Sequence, residues 1–132
     1  MKSEKTEIQN LHKNLISQNR SKFPEKGKPL NVPCTHGVYI IRKGNKVLHV
    51  GRTHRGKKGL HQRLSNHLHG ASSFAVEYLK SMGEKLRKGH TYQYLEVKGD
   101  RQRALLEAYA VGTLCPVHLG LGKKKRRNSK VV

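Results

Sequence analysis

Glu107 lies in the stretch Arg103–Leu114, RALLEAYAVGTL, where Leu105, Leu106, Ala108, Ala110, Val111 and Leu114 give a helix that reads apolar nearly all round. A carboxylate in such surroundings is costly unless it is paired or binds a metal. Three uses are therefore open: a metal ligand or other site role, a place on the single exposed edge of the helix, or an ion pair with Arg103 or a lysine. Arg63 and His67 stand four residues apart, the spacing that brings side chains to one helix face. A guanidinium there can hold a phosphate or steady developing charge, and an imidazole can shuttle a proton near neutral pH. A solvated face of a basic helix would carry the same residues. Tyr39 and His49 fall inside two apolar runs, where packing is the ordinary use of an aromatic ring. Cys34-Thr-His36 and Cys115-Pro-Val-His118 could be halves of a zinc site, but both spacings are short for one.

The elements that must carry these residues follow from periodicity. Ile8, Leu11, Leu15 and Ile16 recur at helical spacing, so Glu4–Gln18 reads as an amphipathic helix. Phe23–Pro33, with its prolines, reads as a loop. GVYIIRKGNKVLHVG, Gly37–Gly51, reads as a β-hairpin. Leu60, Leu64 and Leu68 form a stripe, so Leu60–His69 is a helix with its leucines inward. Ser72 or Ser73 can cap a second helix over Phe74–Lys88. His90–Val97, HTYQYLEV, alternates as a third strand. Asp100 can cap a helix over Arg101–Leu114. The expected fold is α/β: a small three-stranded antiparallel sheet flanked by helices, with an N-terminal helix. The chain divides into an arm (1–33), a folded domain (34–120) and a basic tail (121–132).

Turn length decides whether Tyr39 and His49 can cooperate. A two-residue loop, Gly44-Asn45, places Tyr39 opposite Val50 and sends Tyr39 and His49 to opposite faces. A three-residue loop, Lys43-Gly44-Asn45, sets Tyr39 directly across from His49. A site shared by the two side chains predicts the longer loop.

The formal charge of +20 comes from 28 Lys and Arg against 8 Asp and Glu. That field calls for a polyanionic partner. No apolar run approaches the ~20 residues that span a bilayer, and no signal-peptide core follows Met1. The expectation is a cytoplasmic, nucleic-acid-associated protein with no membrane partner and no small-molecule cofactor. Its two cysteines would be free thiols.

In combination these residues resemble the GIY-YIG nuclease superfamily. GVY (Gly37–Tyr39) matches the first motif, and HVG (His49–Gly51) the second, with His in place of its tyrosine. GLHQRLSNHL (Gly59–Leu68) matches the following helix, with Arg63 and His67 at the expected separation. Glu107 matches the single metal-binding glutamate. The family has an Asn soon after a proline past that glutamate; here Pro116 is followed by Val117, His118 and Leu119, and His118 is the substitute at hand. The resemblance spans roughly 37–119. It implies a three-stranded α/β sandwich and a metal-dependent endonuclease acting on DNA, with RNA an open alternative. It implies one divalent ion, Mg2+ or Mn2+, on Glu107, and catalytic roles for Tyr39, His49, Arg63, His67 and Glu107. Phosphate contacts would come from Arg52, Arg55, Lys57, Lys58 and the run Lys123, Lys124, Lys125, Arg126, Arg127. The rival reading is a non-catalytic nucleic-acid-binding protein that kept the fold.

Overall fold

A computed structural model describes residues 3–54, 58–80 and 82–119. Helix α1 (Glu4–Ile16) opens on an N-cap at Ser3, whose hydroxyl accepts from the Thr6 amide. Strands β1 (Ser21–Lys22), β2 (Gly37–Lys43) and β3 (Lys46–Arg52) follow, then α2 (Gly59–Leu68), α3 (Ser73–Glu77), a 3-10 turn (Gly83–Arg87), β4 (His90–Glu96) and α4 (Asp100–Leu114). Among the described residues no helix is long and apolar enough to cross a membrane.

The antiparallel sheet has four strands in the order β1-β4-β2-β3. The sequence expectation of three missed β1, because two residues, Ser21 and Lys22, pairing with Tyr92 and Thr91, are too few to show a strand period. β2 is central and buried from Gly37 to Arg42, which is why it reads as a continuous apolar run rather than an alternating one. One face of the sheet carries Tyr39, Ile41 and Leu48 beneath Leu60, Leu64 and Leu68 of α2 and Phe74 of α3. The other carries Val38, Ile40, Val47 and Val50 beneath Ile8 and Leu15 of α1 and Leu106 and Ala110 of α4. The result is a sheet between two helical layers.

Two further expectations are corrected. The helix expected over Phe74–Lys88 is broken: α3 ends at Glu77, Lys80 takes a left-handed φ of 54°, and a 3-10 turn follows. Gly83 lies so close to the carbonyls of His67 and Leu68 that a side chain there would collide with them, so this segment is shaped by packing against the end of α2. Asp100 does not cap α4. Gly99 takes the cap position, and Asp100 is the first helical residue, paired with the buried Arg103. Ser72 does cap α3, accepting from the Ala75 amide at 3.0 Å.

The hairpin follows neither anticipated register. Lys43 pairs with Lys46 and Arg42 with Val47, so the loop is the two-residue Gly44-Asn45, with Gly44 at φ 59°. The register then shifts: Ile41 pairs with His49, Ile40 with Val50 and Tyr39 with Gly51. Leu48 is the extra residue of a β-bulge. A bulge of one residue reverses the facing of everything beyond it, so Tyr39 and His49 share a face despite the short loop. Gly51 lies directly beneath the Tyr39 ring, and a Cβ there would fall on the phenol. Gly51→Ala should lower unfolding free energy by about 1–3 kcal/mol, the range for overpacking a tight core, as read from urea unfolding. A change below about 0.5 kcal/mol would show that the ring has room to move.

Candidate active site

The bulge aims Tyr39 and His49 at α2. Leu60, Leu64 and Leu68 seat that helix on the sheet, which turns His67 inward to meet them. Tyr39 Oη and His67 Nε2 are 2.6 Å apart, and His67 Nδ1 lies 2.5 Å from Ser72 Oγ. Ser72 thus does two things at once: it caps α3 and fixes the imidazole. When His67 Nδ1–H donates to Ser72, Nε2 accepts the Tyr39 proton; the reversed set of donors is equally complete. This is a buried proton path of three side chains. Tyr39 and His67 are almost wholly enclosed, at 0% and 1% exposure.

The His49 ring stacks on Phe74 at 4.8 Å and meets His67 edge-on at 5.0 Å. Its Nδ1 lies 3.1 Å from Nδ1 of His118, whose Nε2 lies 2.7 Å from Glu77 Oε1. His118 reaches this point because the chain after Pro116 runs along β3 at its bulge, with Val117 N donating to Val47 O and His118 N to Leu48 O.

Burial sets the electrostatics. It pushes the Tyr39 phenol up to about 12, with the Arg63 charge pulling against it and the Glu107 charge adding to it. Burial lowers His49 to about 3, helped by His118 and Arg63. Burial likewise holds His67 well below the usual imidazole range, helped by His49, Arg63 and His118. The cluster is therefore neutral at neutral pH, with Arg63 as the cation beside it. Arg63 is half-buried, and its Nε is enclosed without a partner among the described residues.

Glu107 stands elsewhere. Arg52 lies next to Gly51 in β3 and projects to the α1/α4 face, where its Nη1 meets Glu107 Oε1 at 3.0 Å. The carboxylate is half-buried. It is neither on a helix sealed all round, since Ala108 and Tyr109 beside it are exposed, nor paired with Arg103, which binds Asp100 and the carbonyls of Val97 and Lys98. Tyr39 and Glu107 thus approach the Gly51–Arg52 link from opposite faces of the sheet, within electrostatic reach of each other. Arg52, expected as a phosphate contact, is held by Glu107.

Among the described residues no group of three or more His, Cys, Asp or Glu side chains converges as a metal site. One hard carboxylate still suits an ion of the magnesium type, which keeps several waters and takes its remaining oxygens from phosphate. Glu107 fits that mode if Arg52 yields or shares its oxygen. The zinc alternative finds its residues otherwise engaged: His36 Nδ1 bonds Thr53 Oγ1 at 2.8 Å, His118 bonds His49 and Glu77, and both cysteines are free and exposed. Lys58 is exposed at the start of α2. Arg55, Lys57 and the run Lys123–Arg127 lie outside the described residues.

Sequence reasoning paired Arg63 with His67 and suspected Tyr39 and His49. It missed Ser72 as a partner of His67, Glu77, and the anchoring of His118. The serine left a signal as a helix cap, and His118 as the histidine that follows Pro116.

No protein-family model matches the chain, and no curated protein matches it. Solved structures do. They share one fold. The GIY-YIG N-terminal endonuclease domain of UvrC from Thermotoga maritima, as a point mutant bound to its catalytic divalent cation, superposes with a TM-score of 0.49 at 22% identity over 66% of this chain and 84% of that one. The same domain bound to magnesium gives 0.47 and 18% over 66% and 85%. Another point mutant gives 0.48 and 20% over 89% and 96%. These are likenesses in the course of the chain alone.

The neutral histidines make stability acid-sensitive. Above pH 6.5 both chain states carry them neutral, and their burial has no protonation cost. As pH falls below 6.5 the unfolded chain takes up protons that the folded chain refuses, so stability declines, for His49 down to about pH 3. The slope between pH 6.5 and 5 should reach about 1.4 kcal/mol per pH unit per histidine at most. Urea unfolding at pH 7, 6 and 5 reads it, and His67→Gln should reduce the slope by up to one proton. An unchanged slope would show that His67 is charged or exposed.

Proposed function

We propose that this chain is a metal-dependent endonuclease that hydrolyses phosphodiester bonds in DNA. The observation that carries the reading is the Tyr39–His67–Ser72 hydrogen-bonded path beside Arg63. A phenol with its pKa near 12 is a poor base alone. Joined to an imidazole at 2.6 Å it becomes a conduit: its oxygen takes a proton from the attacking water while its own proton passes to His67 Nε2, which burial disfavours in its charged form and which therefore gives the proton up again to solvent. The water oxygen forms the new P–O bond, the bond to the leaving sugar oxygen breaks, and that oxygen takes a proton from solvent to leave as a hydroxyl. Ser72 keeps the imidazole in line throughout. Arg63 steadies the negative charge of the five-coordinate phosphorus and favours loss of the water proton. Glu107 would hold the divalent ion, Mg2+ or Mn2+, which supplies Lewis-acid polarisation of the phosphate when bound. Arg52, released from Glu107, would be free to contact a phosphate. His49 takes the place of the family's second tyrosine as a hydrogen-bonding group.

A second reading has its own support. Tyr39 is fully enclosed and the Glu107 carboxylate is engaged by Arg52, both of which suit a nucleic-acid-binding protein that no longer cuts. On the nuclease reading, the groups covering the phenol must move for water and phosphate to reach it. Supercoiled plasmid incubated with Mg2+, with Mn2+ and with EDTA separates the two. Metal-dependent nicking, reduced by at least about 100-fold in Glu107→Ala with DNA affinity kept, is the expected result. Tight binding without cleavage under either ion establishes the second reading. Equal cleavage by the variant removes Glu107 from the metal site.

The tail contributes backbone contacts in either case. Removing Lys123–Val132 should weaken DNA binding and flatten its dependence on log salt by about 0.9 unit for each phosphate that the tail neutralises. An unchanged salt slope takes the tail out of the interface.

A further inference from the structure

The geometry points to Glu77 and His118 as positioning residues that fix the tautomer of His49, leaving its Nε2 as a bare acceptor in the Tyr39–Arg63–His67 cluster. The inference rests on the nuclease reading for its catalytic meaning, not for its structural content.

With one ring proton on each imidazole, the donors and acceptors along the chain of rings allow one assignment. A carboxylate accepts only, so the 2.7 Å contact between Glu77 Oε1 and His118 Nε2 needs a proton on that nitrogen. With its one ring proton placed on Nε2, His118 has an unprotonated Nδ1. Its neighbour at 3.1 Å, His49 Nδ1, must be the donor. Burial keeps His49 neutral, so it carries a single ring proton, and that proton is on Nδ1. His49 Nε2 is left with a lone pair. It is enclosed and has no partner among the described residues. The centroid of the His49 ring lies 5.9 Å from that of Tyr39 and 5.0 Å from that of His67. Arg63 Nε, a donor, is likewise enclosed without a described partner, and its charge acts on both His49 and Tyr39.

A buried acceptor and a buried donor beside one phenol are the two groups a reacting water needs, besides a base. The water donates one hydrogen bond to His49 Nε2 and accepts one from Arg63, while its other proton faces Tyr39. The opposite tautomer would present an N–H to that water and compete with Arg63 for the same lone pair. Glu77 thus selects, through His118, which face of His49 the site meets. Such chains of carboxylate and imidazole set ring tautomers in other chemical settings by the same rule.

The support is three elements deep. Glu77 ends α3, His118 lies past α4, and His49 follows the bulge of β3. Nothing in the packing of apolar residues requires a carboxylate and two imidazoles to line up across them.

Long-range 1H–15N spectra of the full chain labelled at histidine, at pH 7, read the tautomer without any catalysis. We expect protonated Nδ1 and bare Nε2 at His49. Glu77→Gln keeps an accepting oxygen and should keep that pattern; Glu77→Leu removes it and should shift His49 to a mixture or to Nε2–H, with the backbone amide spectrum confirming the fold. Nε2–H in the native chain, or a pattern indifferent to Glu77→Leu, overturns the assignment. In cleavage assays Glu77→Leu should lower kcat on the order of 10–100-fold at unchanged DNA affinity, with Glu77→Gln retaining most of the activity. A shifted tautomer with unchanged kcat overturns the catalytic meaning. Absence of cleavage by the native chain overturns the nuclease reading by itself, and the spectra still decide the tautomer.

Discussion

The site depends on one irregularity of backbone pairing. Leu48 has no partner across the hairpin, and from that residue onward β3 faces the other way. Without the bulge, a loop of Gly44-Asn45 would turn His49 toward α1 and α4 and leave Tyr39 facing α2 alone. With it, Tyr39 and His49 share the face on which His67 and Phe74 close. The same break leaves the carbonyls of Val47 and Leu48 to accept from Val117 and His118. One extra residue therefore both orients His49 and docks the segment that carries its partner.

Around that point the packing is arranged to enclose polar groups rather than to exclude them. Gly51 has no side chain because the Tyr39 ring occupies that volume. Ser72 satisfies a helix terminus and an imidazole with one oxygen. His49 and His67 are enclosed in their neutral forms, a state that burial favours and that the nearby guanidinium of Arg63 reinforces. A cluster of this kind is costly unless each polar atom finds a partner. His49 Nε2 and Arg63 Nε are enclosed and find none among the described residues.

The Arg52–Glu107 pair follows a different logic. It lies on the opposite face at the sheet edge, half-buried, with its ions 3.0 Å apart. An exposed or half-exposed pair of this sort contributes little to stability. Its consequence is to keep two charges ready at the boundary of the Tyr39 cluster, separated from it by a strand that is bare at Gly51. The strongly basic chain needs few carboxylates, and Glu107 is one that the fold places next to a cation without burying it.

Local chemistry in the sequence determined the leucine stripe of α2, a serine cap at Ser72 or Ser73, the apolar β2 and the four-residue spacing of Arg63 and His67, because each is written in neighbours one or two turns apart. For Glu107 it left a cation site, an exposed helix edge and a pair with Arg103 or a lysine open; the pair formed is with Arg52, because the Arg103 guanidinium is drawn to the carbonyls and carboxylate at the start of its own helix. The fourth strand, the break after α3 and the bulge were decided by tertiary structure. Two residues become a strand only beside Tyr92 and Thr91, Gly83 is shaped by carbonyls of another helix, and the facing of His49 depends on which partner each β3 residue takes. Glu77 and His118 are 41 residues apart, and His118 and His49 are 69. No periodicity reports a contact of that length; only the folded chain brings their donors and acceptors within hydrogen-bond range.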